Sequence, residues 1–575
     1  MKATPRFLFA AIFVVLLCAP ELLAAPPSPG DRLSLSGFIK NLQGNGVKEA
    51  EVEVLLNGQP LAPAGKDETI ATGSQGNFLA VFLLPKGALP EGRVEVEVTK
   101  PSWQEIGPTP VVPIQVGTDE FGNRLFQAQV DLTLKRQITP ALWLAAIVLL
   151  LVYVIIAAEL MHRTLAALLG AAVVLFITYT LGTFNKNYFI LSFEDAIHAI
   201  DMNVIFLLMG MMIIVGVLKK TGLFQWLAYK SYALARGNVF VLSGILMVIT
   251  AVSSAFLDNV TTMLLMIPVT IEIAVTLRIN PIALLIPEVF ASNVGGTATL
   301  IGDPPNIIIG SYAKITFMAF VTNLGWIVLI CMVVTLIYYI YWYKKDYVQA
   351  DVKDVQRNIE FLKEEYKITN MKLLILSLLF LAFVIFLFII HGILHMEPSV
   401  AALMGAMLLL AFSREDIVEM LEHEVEWPTL VFFMGLFIVV AGAEETGLIQ
   451  IIAEWVADVS MGSLVVAVLM VLWVSALASA AIDNIPFTAT MLPIIAFLNE
   501  TIPGAESGIL WWSLALGACF GGNGTMIGAS ANVVTVGLAE KAGYQISFLY
   551  YLRACFVPML ITVILASVYL VFFRM

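Results

Sequence analysis

Two short polar stretches inside long apolar segments decide the fold: SSAFLDNVTT at residues 253–262 and SAAIDNIPFTAT at residues 479–490. Each stretch carries an Asp-Asn pair where a membrane helix would otherwise be apolar, and ionisable residues at such depth are costly and usually functional. We predict that each pair lies at the tip of a re-entrant hairpin. The first hairpin is formed by residues 238–277 and the second by residues 463–499.

The two hairpins belong to an internal duplication. Asp258 and Asp483 are 225 residues apart (483 − 258 = 225), and the same offset carries the tripeptide TGL at residues 221–223 onto TGL at residues 446–448. Chance similarity between apolar helices explains shared leucine or valine residues, but not polar landmarks in the same order. We therefore predict two homologous membrane repeats.

Two glycine-rich stretches interrupt the longest apolar segments. They read NVGGTATLIGDPPN at residues 293–306 and GGNGTMIGASAN at residues 521–532, and Asn306 of the first matches Asn532 of the second. Glycine permits unwound backbone, and proline removes N–H donors. Unwound backbone at membrane depth is tolerated where it lines a cavity or is buried in protein, as in the broken helices of secondary transporters.

Charges in the loops predict that the second repeat is inverted in the membrane. Lys219-Lys220 ends a segment of the first repeat, whereas Glu444-Glu445 ends its copy, and basic residues favour the cytoplasmic side. If the hairpins do not cross the membrane, each repeat has five spans. Because five is an odd number, the second repeat then has the opposite orientation in the membrane. The predicted order is repeat 1 at 141–343, a charged cytoplasmic connector at 344–370, and repeat 2 at 371–575 with its carboxyl terminus outside.

The composition excludes whole classes of protein. Of 575 residues, 59% are hydrophobic and 13% charged, and the mean hydropathy is +0.90. Soluble domains are about 45–50% apolar and about 25% charged. The chain is thus predicted to be a polytopic membrane protein in contact with lipid, and not an enzyme. A net charge of −12 leaves no basic surface for nucleic acid.

The amino-terminal part differs from the rest. Lys2 and Arg6 precede an apolar stretch, so residues 1–25 are predicted to be a signal peptide, with an uncleaved signal anchor as the alternative. Alternation with period two, as in VEVEV at residues 94–98, predicts strands, and residues 26–138 a small extracytoplasmic β-sandwich. The predicted location of the membrane part is the cell inner membrane.

The polar clusters supply the candidate site. Carbonyl oxygens freed at a helix break coordinate cations, and half-helix amino termini attract anions. No cofactor is predicted besides a coupling ion, Na⁺ or H⁺. The residues predicted to bind substrate or ion are Ser254, Asp258, Asn259, Thr261, Thr262, Asn293, Gly296, Thr297, Thr299, Gly302, Asp303, Asn306, Ser479, Asp483, Asn484, Thr488, Thr490, Gly522, Asn523, Gly524, Thr525, Ser530 and Asn532. Those predicted to hold Na⁺ are Asp258, Asn259, Asp483 and Asn484.

These motifs resemble a known family. Residues 254–262, 295–306, 475–490 and 521–532 are very similar to the ion transporter superfamily, in its arsenical pump and citrate transporter branch, and especially to the melanosomal P protein (pink-eyed dilution). The resemblance implies two inverted five-helix repeats with re-entrant hairpins. It also implies a homodimer in which a mobile transport domain moves as an elevator against a scaffold.

The chain departs from sodium-coupled carboxylate transporters of that superfamily at the hairpin tips. Those relatives carry Ser-Asn-Thr there and use it to bind Na⁺ and the substrate carboxylate, whereas this chain has Asp258 and Asp483 in place of serine. A carboxylate repels an anionic substrate unless Na⁺ or H⁺ neutralises it. The departure therefore counts against dicarboxylate specificity and favours a proton-titrating or cation-binding role.

Several functions stay open at this point. The leading prediction is secondary active transport of a small ion or anion coupled to Na⁺ or H⁺. The principal alternative is a Na⁺/H⁺ antiporter, in which the aspartates form the whole site. An arsenite-type efflux permease and a passive anion channel are further alternatives. An intramembrane enzyme with paired aspartates is disfavoured, because duplication already explains why two aspartates are present.

Overall fold

The computed structural model describes residues 30–42, 44, 46–47, 50–64, 70–73, 75–85, 93–120, 122–348 and 355–574. The chain forms two compact units that meet in sequence at Thr139 and Pro140. The predicted signal peptide at residues 1–25 lies outside the described residues.

The first unit consists of two β-sheets around one apolar core. The strands are β1 Asp31–Lys40, β2 Glu51–Leu56, β3 Gln59–Pro60, β4 Ile70–Ala71, β5 Asn77–Leu84, β6 Val94–Thr99, β7 Ile106–Val111, β8 Ile114–Thr118 and β9 Arg124–Thr133. Strand β1 pairs parallel with β9 and antiparallel with β5, giving the order β5-β1-β9-β8, and the other sheet has the order β3-β2-β6-β7 with β4 beside β2. Buried and less buried residues alternate along β6, as its valine pattern predicts.

The second unit is helical, and its first half holds ten helices in the described residues. They are α1 Pro140–Ala157, α2 Arg163–Phe184, α3 Phe193–His198, α4 Met202–Lys219, α5 Leu223–Ala235, α6 Val239–Phe256, α7 Asn259–Thr276, α8 Ile282–Gly296, α9 Pro304–Tyr312 and α10 Phe317–Trp342. A short 3₁₀ turn, Lys186–Tyr188, precedes α3.

A connector with the helices α11 Lys344–Val348 and α12 Val355–Glu365 leads to the second half. The helices of that half are α13 Met371–Ile390, α14 Pro398–Ser413, α15 Ile417–Glu419, α16 Trp427–Glu445, α17 Leu448–Ser460, α18 Leu464–Ala481, α19 Asn484–Thr501, α20 Ile509–Gly521, α21 Ser530–Lys541 and α22 Phe548–Phe573. A π-helical turn, Met420–Glu424, follows α15, and a 3₁₀ turn, Ala505–Ser507, follows α19.

The two halves repeat one helix order. Helices α6 and α7 correspond to α18 and α19, and the broken pair α8 and α9 corresponds to α20 and α21. Ten helices of the described chain are long and apolar enough to cross a membrane, and three shorter apolar helices accompany them. The protein is therefore a mostly helical, multi-pass membrane protein with a small amino-terminal β region.

Candidate ion-binding site

The aspartate of each Asp-Asn pair starts the second arm of its hairpin. Leu257 and Asp258 are extended, which ends α6, and the Asp258 carboxylate caps α7 by accepting from the Thr261 N–H at 2.8 Å. In the second hairpin Asp483 caps α19 by accepting from the Ile485 N–H at 3.0 Å. Aspartate is a favoured capping residue because it satisfies N–H groups that have no partner within the helix.

An asparagine side chain closes each glycine-rich break. The amide nitrogen of Asn306 donates to the carbonyls of Thr297 at 3.1 Å and Thr299 at 2.8 Å. Asn532 repeats this in the second half, with 2.7 Å to the Gly522 carbonyl and 2.9 Å to that of Thr525. Carbonyl oxygens freed by the break are thus partly satisfied from within the same motif.

Each break also packs against the tip of its own hairpin. The Thr299 hydroxyl donates to the Ala255 carbonyl, and the Thr525 hydroxyl donates to the Ala480 carbonyl at 2.6 Å. The Asn484 N–H donates to the Gly528 carbonyl at 3.1 Å. Hairpin and broken helix therefore form one polar unit in each half.

Substitution of a glycine in this contact is expected to destabilise the fold. A Cβ added at Gly302 would lie 2.5 Å from the Gly296 carbonyl oxygen and 2.6 Å from that of Ser254. Overpacking costs about 1–3 kcal/mol, so Gly302→Ala should lower the midpoint of thermal unfolding in detergent by several degrees. Gly325→Ala in α10 is the control, since its Cβ meets nothing within 4 Å. Equal midpoints for the two variants would contradict the tight packing.

The two polar units meet at Asn293 of α8. Its amide nitrogen donates across the repeats to the side-chain oxygens of Asn523 at 3.0 Å and Asn532 at 2.9 Å. Its side-chain oxygen accepts from the amide of Asn259 at 3.0 Å. Asn293 is fully buried, so these bonds lie within the bundle and join the two repeats.

Asp303 lies at the same centre and is fully buried. Its Oδ1 accepts from the amides of Asn259 at 3.2 Å and Asn484 at 3.5 Å, one from each hairpin tip. Its side chain does not cap α9, although it occupies the N-cap position. Asp303 is the aspartate of these clusters that has no copy in the other repeat. It is also the one to which the asparagines of both hairpin tips donate hydrogen bonds.

Several buried polar atoms of the hairpin tips and broken helices have no hydrogen-bond partner in the described part of the chain. They are Asp303 Oδ2, Asn259 Oδ1, Thr262 Oγ1 and Asn523 Nδ2. Buried polar groups are nearly always satisfied, so unpartnered ones mark a place where an ion, proton or water belongs. The described residues contain no cluster of three His, Cys, Asp or Glu side chains for a metal, so the available ligands are amide, hydroxyl and single-carboxylate oxygens. Such oxygens suit a hard cation.

The other predicted residues bond within their own helix or to a neighbouring helix of the same repeat. Ser254 of α6 accepts from Ser292 of α8, the Thr261 hydroxyl donates to the Asp258 carboxylate, and the Thr297, Thr488 and Thr490 hydroxyls donate to carbonyls one turn back. Ser479 donates to the Ala518 carbonyl, and Gly524 packs against the Met559 methyl group. Of the four residues predicted to hold Na⁺, Asn259 and Asn484 reach the centre by hydrogen bonds. The Asp258 carboxylate is instead hydrogen-bonded at the start of its own helix, and that of Asp483 accepts both there and from the Ser530 hydroxyl of α21 at 3.1 Å.

A basic residue outside the four polar clusters reaches the second hairpin. Arg163, the first residue of α2, has its Nη1 at 3.5 Å from Asp483 Oδ2, and it also donates to the Ser530 hydroxyl. The polar clusters contain no signal for this partner, which lies 320 residues away in the sequence, so the sequence does not predict the pair. Tyr153 of α1 was missed as well: its hydroxyl donates to the Pro486 carbonyl at 2.7 Å and contacts the Thr490 hydroxyl.

A duplicated pair of hairpins and broken helices, packed around a buried polar centre in a bundle of apolar helices, defines a membrane transporter with an internal repeat. The model of the citrate transporter family matches residues 151–517, which is most of the membrane unit. The chain belongs to this family. Its relatives are transporters rather than enzymes, and the resemblance to the ion transporter superfamily is confirmed.

Curated relatives cover the membrane unit. An uncharacterized transporter of Mycobacterium tuberculosis is 42% identical over 420 residues, which cover 73% of this chain and 95% of the relative. The human P protein is 34% identical over 514 residues, covering 76% of this chain and 60% of its own length. Among solved structures, the YdaH transporter of Alcanivorax borkumensis aligns with 71% of this chain and 98% of its own, at 15% identity and a TM-score of 0.49.

Proposed function

We propose that this protein is a secondary active transporter that moves a small ion or anion across the membrane, coupled to Na⁺ or H⁺. The observation that carries the proposal is the buried carboxylate of Asp303, which accepts from Asn259 and Asn484 and leaves Oδ2 unpartnered among the described residues. A cation at Asp303 would touch both hairpin tips and both broken helices.

Electrostatics supports a cation at this centre. A carboxylate in a low-dielectric interior is strongly penalised unless it is paired, protonated or bound to a metal ion. Among the described ion pairs none includes Asp303. A proton or Na⁺ supplies the missing charge, and the free oxygen of Asn259, whose amide contacts Asp303, adds a ligand for Na⁺.

The duplicated hairpins support alternating access by an elevator motion. In this proposal the hairpins and broken helices carry the ion together, since Asn293 ties the two halves into one polar body. Helices α1, α2, α13 and α14 form the scaffold, and the transporter is a homodimer in the cell inner membrane. Binding sites at a repeat interface with rocking around them are typical of secondary transporters.

A Na⁺/H⁺ antiporter is the second candidate. It is favoured by the carboxylate at the centre, because Na⁺ and a proton can compete for one aspartate without any anionic substrate. In that case the two cations exchange at Asp303 itself.

Ion fluxes in proteoliposomes separate the two candidates. The full chain is reconstituted, a pH gradient or a Na⁺ gradient is imposed, and the uptake of radioactive Na⁺ and of radioactive citrate, the probe anion, is measured. Coupled anion transport predicts that citrate uptake requires the Na⁺ or pH gradient. Na⁺ uptake that needs only the pH gradient supports the antiporter, and gradient-independent flux of both ions would contradict coupling altogether.

With the amino-terminal β domain outside and the connector in the cytoplasm, the loop after α2 lies outside, so the exposed residues Lys186 and Lys345 should have opposite accessibility. On a background with Cys18 replaced by serine, Lys345→Cys should be labelled by an impermeant maleimide only after spheroplasts are permeabilised, and Lys186→Cys before. The cysteines of the described residues, Cys331, Cys519 and Cys555, are buried and should contribute little label. Labelling of both positions from the same side would contradict the orientation.

A further inference from the structure

The guanidinium of Arg163 connects helices of the two repeats at the second hairpin. Nη2 donates to the Thr429 hydroxyl of α16 at 3.2 Å, and the guanidinium carbon lies 5.4 Å from the centre of the Phe432 ring. On its other side, Nη1 contacts Asp483 and Ser530. Helices α2 and α16 therefore hold a positive charge against the tip of hairpin 2 and the start of α21.

The two hairpins differ in this respect. Asp483 has Arg163 as a cationic partner, whereas Asp258 forms no ion pair in the described residues and accepts from Thr261 of its own helix. Both aspartates cap the second helix of their hairpin, so the hairpins differ only in the cationic partner. If Arg163 served only to stabilise a hairpin tip, the first hairpin would be expected to have such a partner as well.

A cavity of about 430 Å³ opens at the Arg163–Asp483 pair. Its walls include Ile156, Ile527 and Ser530, and the ionisable side chains there besides the ion pair are those of Glu159 and His162. The volume falls in the range of small-molecule sites, about 300–1,000 Å³. The side chain of Arg163 is 24% exposed and that of Asp483 9%, so the pair is open to the cavity on one side.

We propose that Arg163 and Ser530 form an oxyanion-binding subsite in this cavity, which the carboxylate of Asp483 occupies while no substrate is bound. The inference rests on the proposed function and names the substrate class as a small carboxylate or inorganic oxyanion. A guanidinium binds such groups through paired N–H donors, and a serine hydroxyl adds a further donor.

The test compares anion binding by charge variants of the purified full chain. Citrate and inorganic phosphate are the probes, each titrated against thermal unfolding at constant ionic strength. Asp483→Asn frees Arg163, so its affinity for at least one probe should exceed that of the wild type by about tenfold, which corresponds to about 1.4 kcal/mol. The double variant Arg163→Gln/Asp483→Asn should lose the stabilisation by either probe.

The control Lys314→Gln breaks the exposed pair with Glu397 and should respond to the probes like the wild type.

Two outcomes overturn the subsite. One is equal affinity for the probes in Asp483→Asn and in the wild type, and the other is an unchanged affinity when Arg163→Gln is added to Asp483→Asn. If Arg163→Gln fails to fold, Arg163→Lys keeps the charge without the paired donors and should weaken probe binding in the Asp483→Asn background. Failure here is distinguishable from failure of the proposed function. Asp303→Asn should remove the stabilisation by cations while leaving the anion response of the Asp483→Asn background in place.

Discussion

Asp303→Asn is expected to reduce coupled transport by the reconstituted chain by about 100-fold. This is the upper end of the loss of metal affinity or activity, about 10–100-fold, that follows when a residue supporting a metal ligand is replaced. Asparagine has nearly the same shape as aspartate, and its oxygen can still accept from Asn259 or Asn484. The variant therefore removes the negative charge with little change of packing. Without that charge the centre holds neither a proton nor Na⁺ at this position, and uptake should lose its dependence on either gradient.

Glu288→Gln is the matched control for this variant. Glu288 is also a buried carboxylate of the first repeat, but its hydrogen bond goes to the Thr270 hydroxyl at 3.0 Å and not to the polar centre. It should retain at least half of the transport rate. Equal losses in the two variants would mean that any buried acid matters, and transport by Asp303→Asn at the wild-type rate would remove Asp303 from the mechanism.

Asn293→Leu should be the most destabilising single substitution in the polar centre. It removes the donor for Asn523 and Asn532 and the acceptor for Asn259, so three buried groups lose a partner. Each unsatisfied buried group costs about 1–3 kcal/mol, and the total loss should be about 3 kcal/mol or more. We expect a strongly lowered unfolding midpoint in detergent and little folded protein at growth temperature.

Asn323→Leu provides the comparison for that effect. Asn323 lies on α10, is partly exposed, and donates from its side chain to the Ala319 carbonyl of its own helix at 2.6 Å. Its replacement should shift the unfolding midpoint by much less than Asn293→Leu. Similar shifts for the two variants would show that the bonds between the repeats contribute little.

Local sequence features predicted much of this architecture. The valines at every second residue predict strand β6, because side chains alternate between the two faces of a strand. The Asp-Asn pairs predict the hairpin tips, because aspartate is a favoured cap at the start of a helix. Glycine clusters at 293–306 and 521–532 indicated the helix breaks. All of these signals are contained within a few consecutive residues.

Contacts between distant segments could not be predicted in the same way. Arg163 and Asp483 are 320 residues apart, and Asn293 meets Asn523 and Asn532 only because the two repeats pack face to face. Neither hydrophobic period nor motif spacing encodes which side chain of one repeat faces the other. The position of Asp303 between the two hairpin tips could not be predicted from the sequence either, because the other repeat has no aspartate at the matching position.

Cation-dependent stability of the purified chain tests the central claim most directly. A ligand that binds only the folded state stabilises it by mass action, by about 2.7 kcal/mol at 100 times its dissociation constant. The unfolding midpoint is measured in NaCl and in choline chloride across a series of pH values. We predict that Na⁺ or proton uptake raises the midpoint of the wild type and that Asp303→Asn abolishes this response. A wild-type midpoint that depends on neither ion, or a response that survives Asp303→Asn, would contradict a coupling cation at this centre.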